Sequence, residues 1–594
     1  MTAVSSEKNL NCKKYFLFKI QDLINNSFHT FEEKRMESLL QYCNLITDTY
    51  EEYHTSIDGD KLKKSYIALL KGFVYQMECH PFIRIEIYCR DFKYISKKIG
   101  LNEDIPDKEL GNIHRCIVAL KKKMESIDII DVYFKCLDMI EDFQETDYLI
   151  EAFISDMLNK GISLAFLNEC ATKMKEEYFN HKNVDDALKI LRQLDKEKEK
   201  YLVMIKFTVG SKNQISKALE LIEKDFDVIN ESDLQYKSVW KSQSFYVAKK
   251  DIYAMDTVGA IEIAQKEFRA IIDLFDMWQG TRNCIKDDPY YAWVEADELK
   301  TIDVTKISNV KMLGYIDDSH RKQMERFLQL RDLLENEEIE TLERILYTLN
   351  TARSFTVQNR FLNFWSSLEY TLHAFPRNSI IEKARVVVPE AFSLFYIKNK
   401  LNIFWKGLSH YMRKRTDVEK YGEIISFIEN CKNGEDYITR NVVELLLDDD
   451  KTKRISEELA DHIVLQREFM ELQMLIAKPR TVNKVISRYH EGIVHDLDYI
   501  YRLRNRLIHS AKQSEDYLEF VSMRIYRYVS AMMSTILYYK EKNPEYSIID
   551  ILNSIDATYS DYQLLITGYE KGKSNRLSID EGYKLIRPSY LFME

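Results

Sequence analysis

At 594 residues the chain is too long for one hydrophobic core, since single cores stop growing at roughly 250–300 residues, so two or more domains are expected. Only 16 glycines and 8 prolines occur, where average composition would supply about 70, which excludes collagen-like and low-complexity classes and favours a mostly helical protein. A formal charge of −10, from 85 basic and 95 acidic residues, excludes a globally basic polyanion binder, so any site for RNA or another polyanion must be a local patch.

From about residue 8 to 280 the sequence is a succession of amphipathic helices, such as "IVALKKKMESIDIIDVYFKCLDMIEDF", separated by short polar breaks. No fixed-period signature of a helical repeat family runs through it. The stretch 280–318 differs: its turn residues and short β-branched runs suit a small hairpin or an extended connection, and it is the expected boundary. The first division is therefore 1–280, a helical N-terminal region, and 281–345, a connecting segment. Helical spacing resumes in "SHRKQMERFLQLRDLLENEEIETLERILYTLNTA", with Ser319 as its N-cap. In "FTVQNRFLNFWSSLEYTLHAFP", Val357, Phe361, Phe364, Trp365, Leu368 and Leu372 share one helix face, and Pro376 stops the run. Further helices fill 377–480, two long ones occupy 481–540, and 546–594 reads as a C-terminal appendage.

Nine cysteines (Cys12, Cys43, Cys79, Cys89, Cys116, Cys136, Cys170, Cys284 and Cys431) are scattered without a C-x-x-C pair, which suits free thiols in a reducing compartment. The N-terminus lacks a signal-peptide pattern and no window approaches about 18 uninterrupted apolar residues. A cytoplasmic protein without a membrane partner is expected.

The densest polar cluster is "RLRNRLIHSA", residues 502 to 511. On a wheel of about 100° per residue, Ile493, Leu497, Ile500, Leu503, Leu507 and Ile508 form an apolar stripe. Asp498, Tyr501, Arg502, Asn505, Arg506 and His509 gather opposite, with Asn505 and His509 one turn apart. Arg504 falls about 40° from Ile500, inside the stripe, where an unpaired guanidinium is costly. It needs a carboxylate, a phosphate or a subunit boundary. Arg504 and His509 point about 140° apart in a straight helix, so they converge only if the helix bends or ends near His509, the arginine reaches round, or a second chain contributes. Ser514 reads as the N-cap of the next helix and supports an end there.

"LDYIYRLRNRLIHS" resembles the R-x4-6-H signature of the HEPN superfamily (higher eukaryote and prokaryote nucleotide-binding domains), in the form where asparagine follows the arginine. "RFLNFWSSLEYTL" is similar to the opening helix of the Apea-like HEPN branch, through Phe361, Leu362, Trp365 and Glu369. The resemblance covers about residues 350 to 540. It implies an all-α fold, with a HEPN-like ribonuclease domain over 346–545 carrying inserted helices after the multi-helical N-terminal region. It further implies dimerisation that brings two R-x4-H motifs into one cleft, and RNA cleavage without a metal or other cofactor. Carried onto this sequence, Arg504 and His509 become the catalytic pair and Asn505 the polar residue beside them, while Glu369 either orients the arginine or supports the fold. The tyrosine that nucleotidyltransferase-linked HEPN toxins carry two residues after the histidine is replaced here by Ala511.

In that chemistry the RNA 2′-OH attacks the adjacent phosphorus, so the protein manages protons and stabilises phosphoryl charge. His509 suits general acid–base work at cytoplasmic pH, and Arg504 suits a phosphate through its planar fork. Asn505 has the ribose, a base edge or His509 within its repertoire. Arg502 and Arg506 either attract phosphate unspecifically or are solvated surface charges, and Tyr501 either stacks on a base or packs. His490 and His495 lack a third ligand at metal spacing, so zinc is not expected. The cluster Arg413-Lys414-Arg415 reads as an exposed helix end.

The resulting expectation is a HEPN-type endoribonuclease acting on RNA, tRNA among the candidates, as a homodimer or higher homo-oligomer. Its role by resemblance is antiphage defence or a toxin, with the N-terminal region regulatory, sensing a phage-derived trigger or regulatory partner or holding the site inactive. The alternative is a non-catalytic helical scaffold that keeps the HEPN-like region for dimerisation.

Overall fold

Helices form where apolar residues recur at three- and four-residue spacing and turn residues are scarce, and the computed structural model is accordingly all-α in class. The structure describes residues 3–25, 37–55, 59–80, 82, 86–100, 105–210, 214–230, 245–279, 285–295, 298–303, 325, 328–329, 334, 336–352, 357–413, 415, 418–431, 439–510, 515–571 and 576–588. The expected N-caps Ser319 and Ser514 lie outside them, as do Cys284, Lys414 and the side chain of Cys89. The other seven cysteines are free thiols, and among the described residues no helix is long and apolar enough to cross a membrane.

The elements are α1 (Ala3–Asn25), α2 (Leu39–Thr55), α3 (Gly59–Cys79), α4 (Glu86–Ile99), α5 (Asp107–Glu125), α6 (Ile129–Met139), α7 (Phe143–Asn159), α8 (Leu164–His181) and α9 (Val184–Leu188). Then follow β1 (Glu199–Val209), α10 (Ile215–Ile222), β2 (Asp227–Asn230), β3 (Tyr246–Ala254), α11 (Thr257–Gln279), β4 (Ile285–Glu295) and β5 (Glu298–Asp303). The remaining helices are α12 (Asn336–Ala352), α13 (Val357–Leu372), α14 (Ile380–Leu394), α15 (Tyr396–Arg413), α16 (Gly422–Cys431), α17 (Arg440–Leu447), α18 (Asp449–Glu458), α19 (Ile463–Ala477), α20 (Pro479–Ser510), α21 (Glu515–Lys542), α22 (Ile548–Lys571) and α23 (Ile579–Ile586).

Two compact units divide the chain differently from the expectation. Met1–Ser155 and Asp318–Glu594 make one, and Asp156–Asp317 makes the other. The first 155 residues thus share a unit with the motif helix instead of forming a separate region to residue 280. At its centre is α20, whose Val482, Ile486, Ile493, Leu497 and Ile500 are fully buried. Helices α3, α13, α14, α19 and α22 pack around it, and Tyr42 of α2 lies against its Tyr499, ring centroids 5.0 Å apart. The approach of α3 is close: a Cβ at Gly72 would lie 3.3 Å from the His495 Cβ, and Tyr75 donates to the Arg488 carbonyl at 2.6 Å. The C-terminal segment is part of this unit, with Ile551, Ile555 and Tyr562 of α22 buried.

Buried charges hold the helices of this unit together, and the Arg524–Glu37 pair joins its two chain segments. Arg524 of α21 bonds Glu37, just before α2, and Asp496 of α20 at 2.8 Å, while Tyr528 donates to the same aspartate at 2.5 Å. Lys540 reaches Glu338 at 2.9 Å, joining α21 to α12. Breaking one such pair leaves an uncompensated buried charge, so these contacts fix one arrangement of helices even where their net stabilisation is small.

The second unit corrects the reading of 8–280 as helices throughout. Its strands run in the order β2-β3-β1-β4-β5, antiparallel at every pairing. With α10 and α11 between them, β1 to β4 form the split βαβ arrangement, and β5 extends it as a hairpin on β4, the first of the two options that the sequence left open for 280–318. Val203, Ile205 and Phe207 of β1 pack with Ala264 and Phe268 of α11. Asp256 secures that helix, accepting from Gly259 N at 2.9 Å and from Ser163 N at 2.8 Å. Five consecutive residues of β1, Val203 to Phe207, are buried. A strand covered on both faces loses the alternation that would have marked it.

Candidate functional site

The motif helix, Pro479–Ser510, continues through His509. His509 belongs to the helix backbone, and its side chain lies outside the described residues. Of the apolar stripe, Ile493, Leu497, Ile500, Leu503 and Leu507 are buried. Ile508 is a correction at 49% exposed; the wheel puts it about 80° from Ile500, at the margin of the stripe.

The polar sector is covered rather than open. Arg502, on the side opposite the stripe, is only 3% exposed. Its Nε donates to Thr49 Oγ1 at 2.8 Å, and its Nη2 pairs with Glu52. Arg506, one turn further, meets Asp48 Oδ2 at 2.5 Å. Asp48, Thr49 and Glu52 present one face of α2. Neither arginine is a solvated surface charge or an open phosphate contact. Asp498, also assigned to the polar sector, is buried and accepts from Arg385 Nε of α14 at 2.6 Å. Burial raises its carboxyl above the usual range, and Arg385 partly offsets this.

Arg504 faces the other way. A carboxylate partner exists for it: Glu369 of α13 lies 3.7 Å from its Nη2, and its Nη1 donates to the Asn505 side-chain oxygen at 3.2 Å. Glu369 is held in turn by Trp365, whose indole N–H donates to Oε1 at 2.7 Å. Trp365 is fully buried with Phe361, Phe364, Leu368 and Leu372, the face assigned from spacing, so α13 positions Glu369 rigidly. The Arg504 side chain keeps 28% of its surface, against 4% for Arg502. Tyr501 packs on Trp365, ring centroids 5.6 Å apart, which supports the packing option.

The site thus brings together Glu369, Trp365, Arg504 and Asn505, and separates them from Arg502 and Arg506. Sequence reasoning missed Asp48, Thr49 and Glu52; the only signal was an acidic run, "TDTYEEY", complementary in charge to "RLRNR". His490 and His495 are half-buried on α20, and desolvation pushes each imidazole down to about 4. His490 stacks on Tyr559 at 5.1 Å, a packing role. Arg415 lies over the ring of Tyr411 at 4.6 Å, more than an exposed helix end. No protein-family model, curated protein or solved structure matches this chain.

Proposed function

We propose that the chain is a metal-independent endoribonuclease of the HEPN type, working in the cytoplasm as a homodimer or higher homo-oligomer, in antiphage defence or as a toxin. The observation that carries this reading is the Arg504–Glu369 pair. The two segments that resemble HEPN sequences lie far apart in the chain, and they meet at the residues the resemblance singles out. In this reading the 2′-oxygen attacks the adjacent phosphorus, the bond from phosphorus to the 5′-oxygen breaks, and a 2′,3′-cyclic phosphate and a 5′-hydroxyl result. His509 takes the proton from the 2′-OH or delivers one to the leaving oxygen, and Arg504 neutralises phosphoryl charge. Glu369 is loose enough at 3.7 Å to yield Arg504 to a phosphate while still aiming it. The scaffold reading has one observation in its favour: Arg502 and Arg506 are committed to α2.

The test is cleavage of total RNA and tRNA by the full-length protein in EDTA, comparing wild type with His509→Ala and Arg504→Ala. Cleavage by wild type alone, with all three proteins folded, supports the enzyme. Cleavage that persists in both variants, or stops in EDTA, removes this site from consideration.

A further inference from the structure

Glu369 and Tyr370 sit side by side on the stripe of α13 that remains open to solvent, together with Asn363 and Ser366. Glu369 reaches one neighbouring helix, α20, through Arg504. Tyr370 reaches the other, α12, where the Arg344 guanidinium lies 5.5 Å from its ring centroid. One turn further along α12 is Tyr347, on the same face as Arg344. Tyr347 is 70% exposed and Tyr370 36%. Arg344 is exposed too and has no carboxylate partner among the described residues.

A single exposed tyrosine needs no explanation. Here two exposed rings flank a guanidinium, on the surface that carries the motif arginine and its glutamate. We propose that Tyr370, Arg344 and Tyr347 form a stacking track for the bases of single-stranded RNA, leading its phosphate to Arg504. The proposal rests on the ribonuclease reading and names its substrate as unpaired RNA. Every base has a π-face, and stacking on an aromatic side chain is worth roughly a factor of 5 to 150 in affinity per base. Arg344 adds attraction to the ring face and to the strand's phosphates. Base-paired A-form RNA keeps its base faces within its own stack and offers nothing to these rings. Tyr501 cannot take this part because its ring is packed on Trp365.

The experiment measures anisotropy of fluorescein-labelled 2′-O-methyl oligoadenylate, which cannot be cleaved, with the full-length protein. Variants are Tyr370→Ser, Tyr370→Phe, Tyr347→Ser and Arg504→Ala, each checked by thermal melting and sedimentation. The expected result is binding weakened about tenfold by Tyr370→Ser, less by Tyr347→Ser, and within about twofold of wild type for Tyr370→Phe. The salt dependence should be unchanged in the serine variants, because no phosphate contact is removed. If both serine variants bind like wild type while Arg504→Ala binds weakly, the track is refuted and the ribonuclease reading survives. If wild type does not bind the oligonucleotide, both fail. If the serine variants instead dissociate a dimer with RNA affinity unchanged, the face is a protein interface and the track is refuted.

Discussion

Two edges of one helix carry arginines of the same type within five positions, and the structure treats them in opposite ways. On the edge covered by α2, Arg502 and Arg506 meet three side chains at 2.8 Å or closer, and Arg502 is sealed from water. On the edge facing α13, Arg504 has one carboxylate at 3.7 Å and keeps over a quarter of its side-chain surface. A satisfied guanidinium that is itself desolvated, as Arg502 is, is committed to the fold, since separating it from its partners leaves an unpaired buried charge. A loosely paired, half-exposed one can exchange its carboxylate for a phosphate at small cost. Arginine density located the helix; only partner distance and burial separate the structural residues from the candidate chemical one.

The largest effect expected from breaking this division is loss of the fold on removing α2. A fragment beginning at residue 346 would strip α2 and α3 from α20, exposing Tyr499 and leaving Arg502, Arg506 and Arg524 without Glu52, Asp48 and Glu37. We expect it to be insoluble or to lack a cooperative melt. A soluble fragment with a sharp calorimetric transition would show that the N-terminal helices are a detachable regulator, as the sequence suggested, instead of part of the same core.

Next in size is Arg502→Ala, which leaves the buried Thr49 facing a cavity and the partly exposed Glu52 without its pair, and should cost about 2 kcal/mol in urea unfolding. A loss under about 0.5 kcal/mol would place Arg502 with Arg504 and erase the difference between the edges.

The buried interior of α20 makes a smaller, pH-dependent contribution. His495 is held down to about 4 by burial first, then by Arg385 and Lys71, against an ordinary value near 6.5. Its folded-state pKa is depressed, so its stability contribution is present above about pH 6.5 and is lost as pH falls toward 4. His495→Leu should flatten the acid limb of the stability profile in that window, and an unchanged limb would mean the imidazole is solvated.

The parts of this architecture that were legible in the sequence are those encoded locally. Periodicity gave the α13 face from Phe361 to Leu372 and most of the α20 stripe, and turn residues marked 280–318 as a hairpin or an extended connection, of which β4–β5 is the hairpin. Strand β1 was hidden because burial on both faces erases alternation. The α2 clamp was hidden for a different reason. Asp48 and Glu52 are ordinary helix-surface acids by spacing, and nothing in a single sequence says that an acidic turn near residue 50 lies against a basic turn near residue 504. Arg504 was legible by its position inside the stripe, but which of its three possible partners it takes required Glu369 in space.

The smallest expected effect on stability is therefore the one that sharpens the comparison most. Both members of the Arg504–Glu369 pair retain more than a quarter of their side-chain surface at a separation of 3.7 Å, so a double-mutant cycle with Arg504→Ala and Glu369→Ala should give a coupling below about 1 kcal/mol. The matching cycle on Arg502 and Glu52 should give a larger value, because there the guanidinium is desolvated. Under the proposed function, RNA cleavage reverses the order. Arg504→Ala should abolish cleavage at almost no cost in stability, whereas Glu52→Gln, which keeps a hydrogen-bond acceptor for Arg502, should lower stability and leave the cleavage rate of the folded protein near wild type. If cleavage instead tracks stability across both pairs, Arg504 acts only through the fold, and the two edges differ in packing alone.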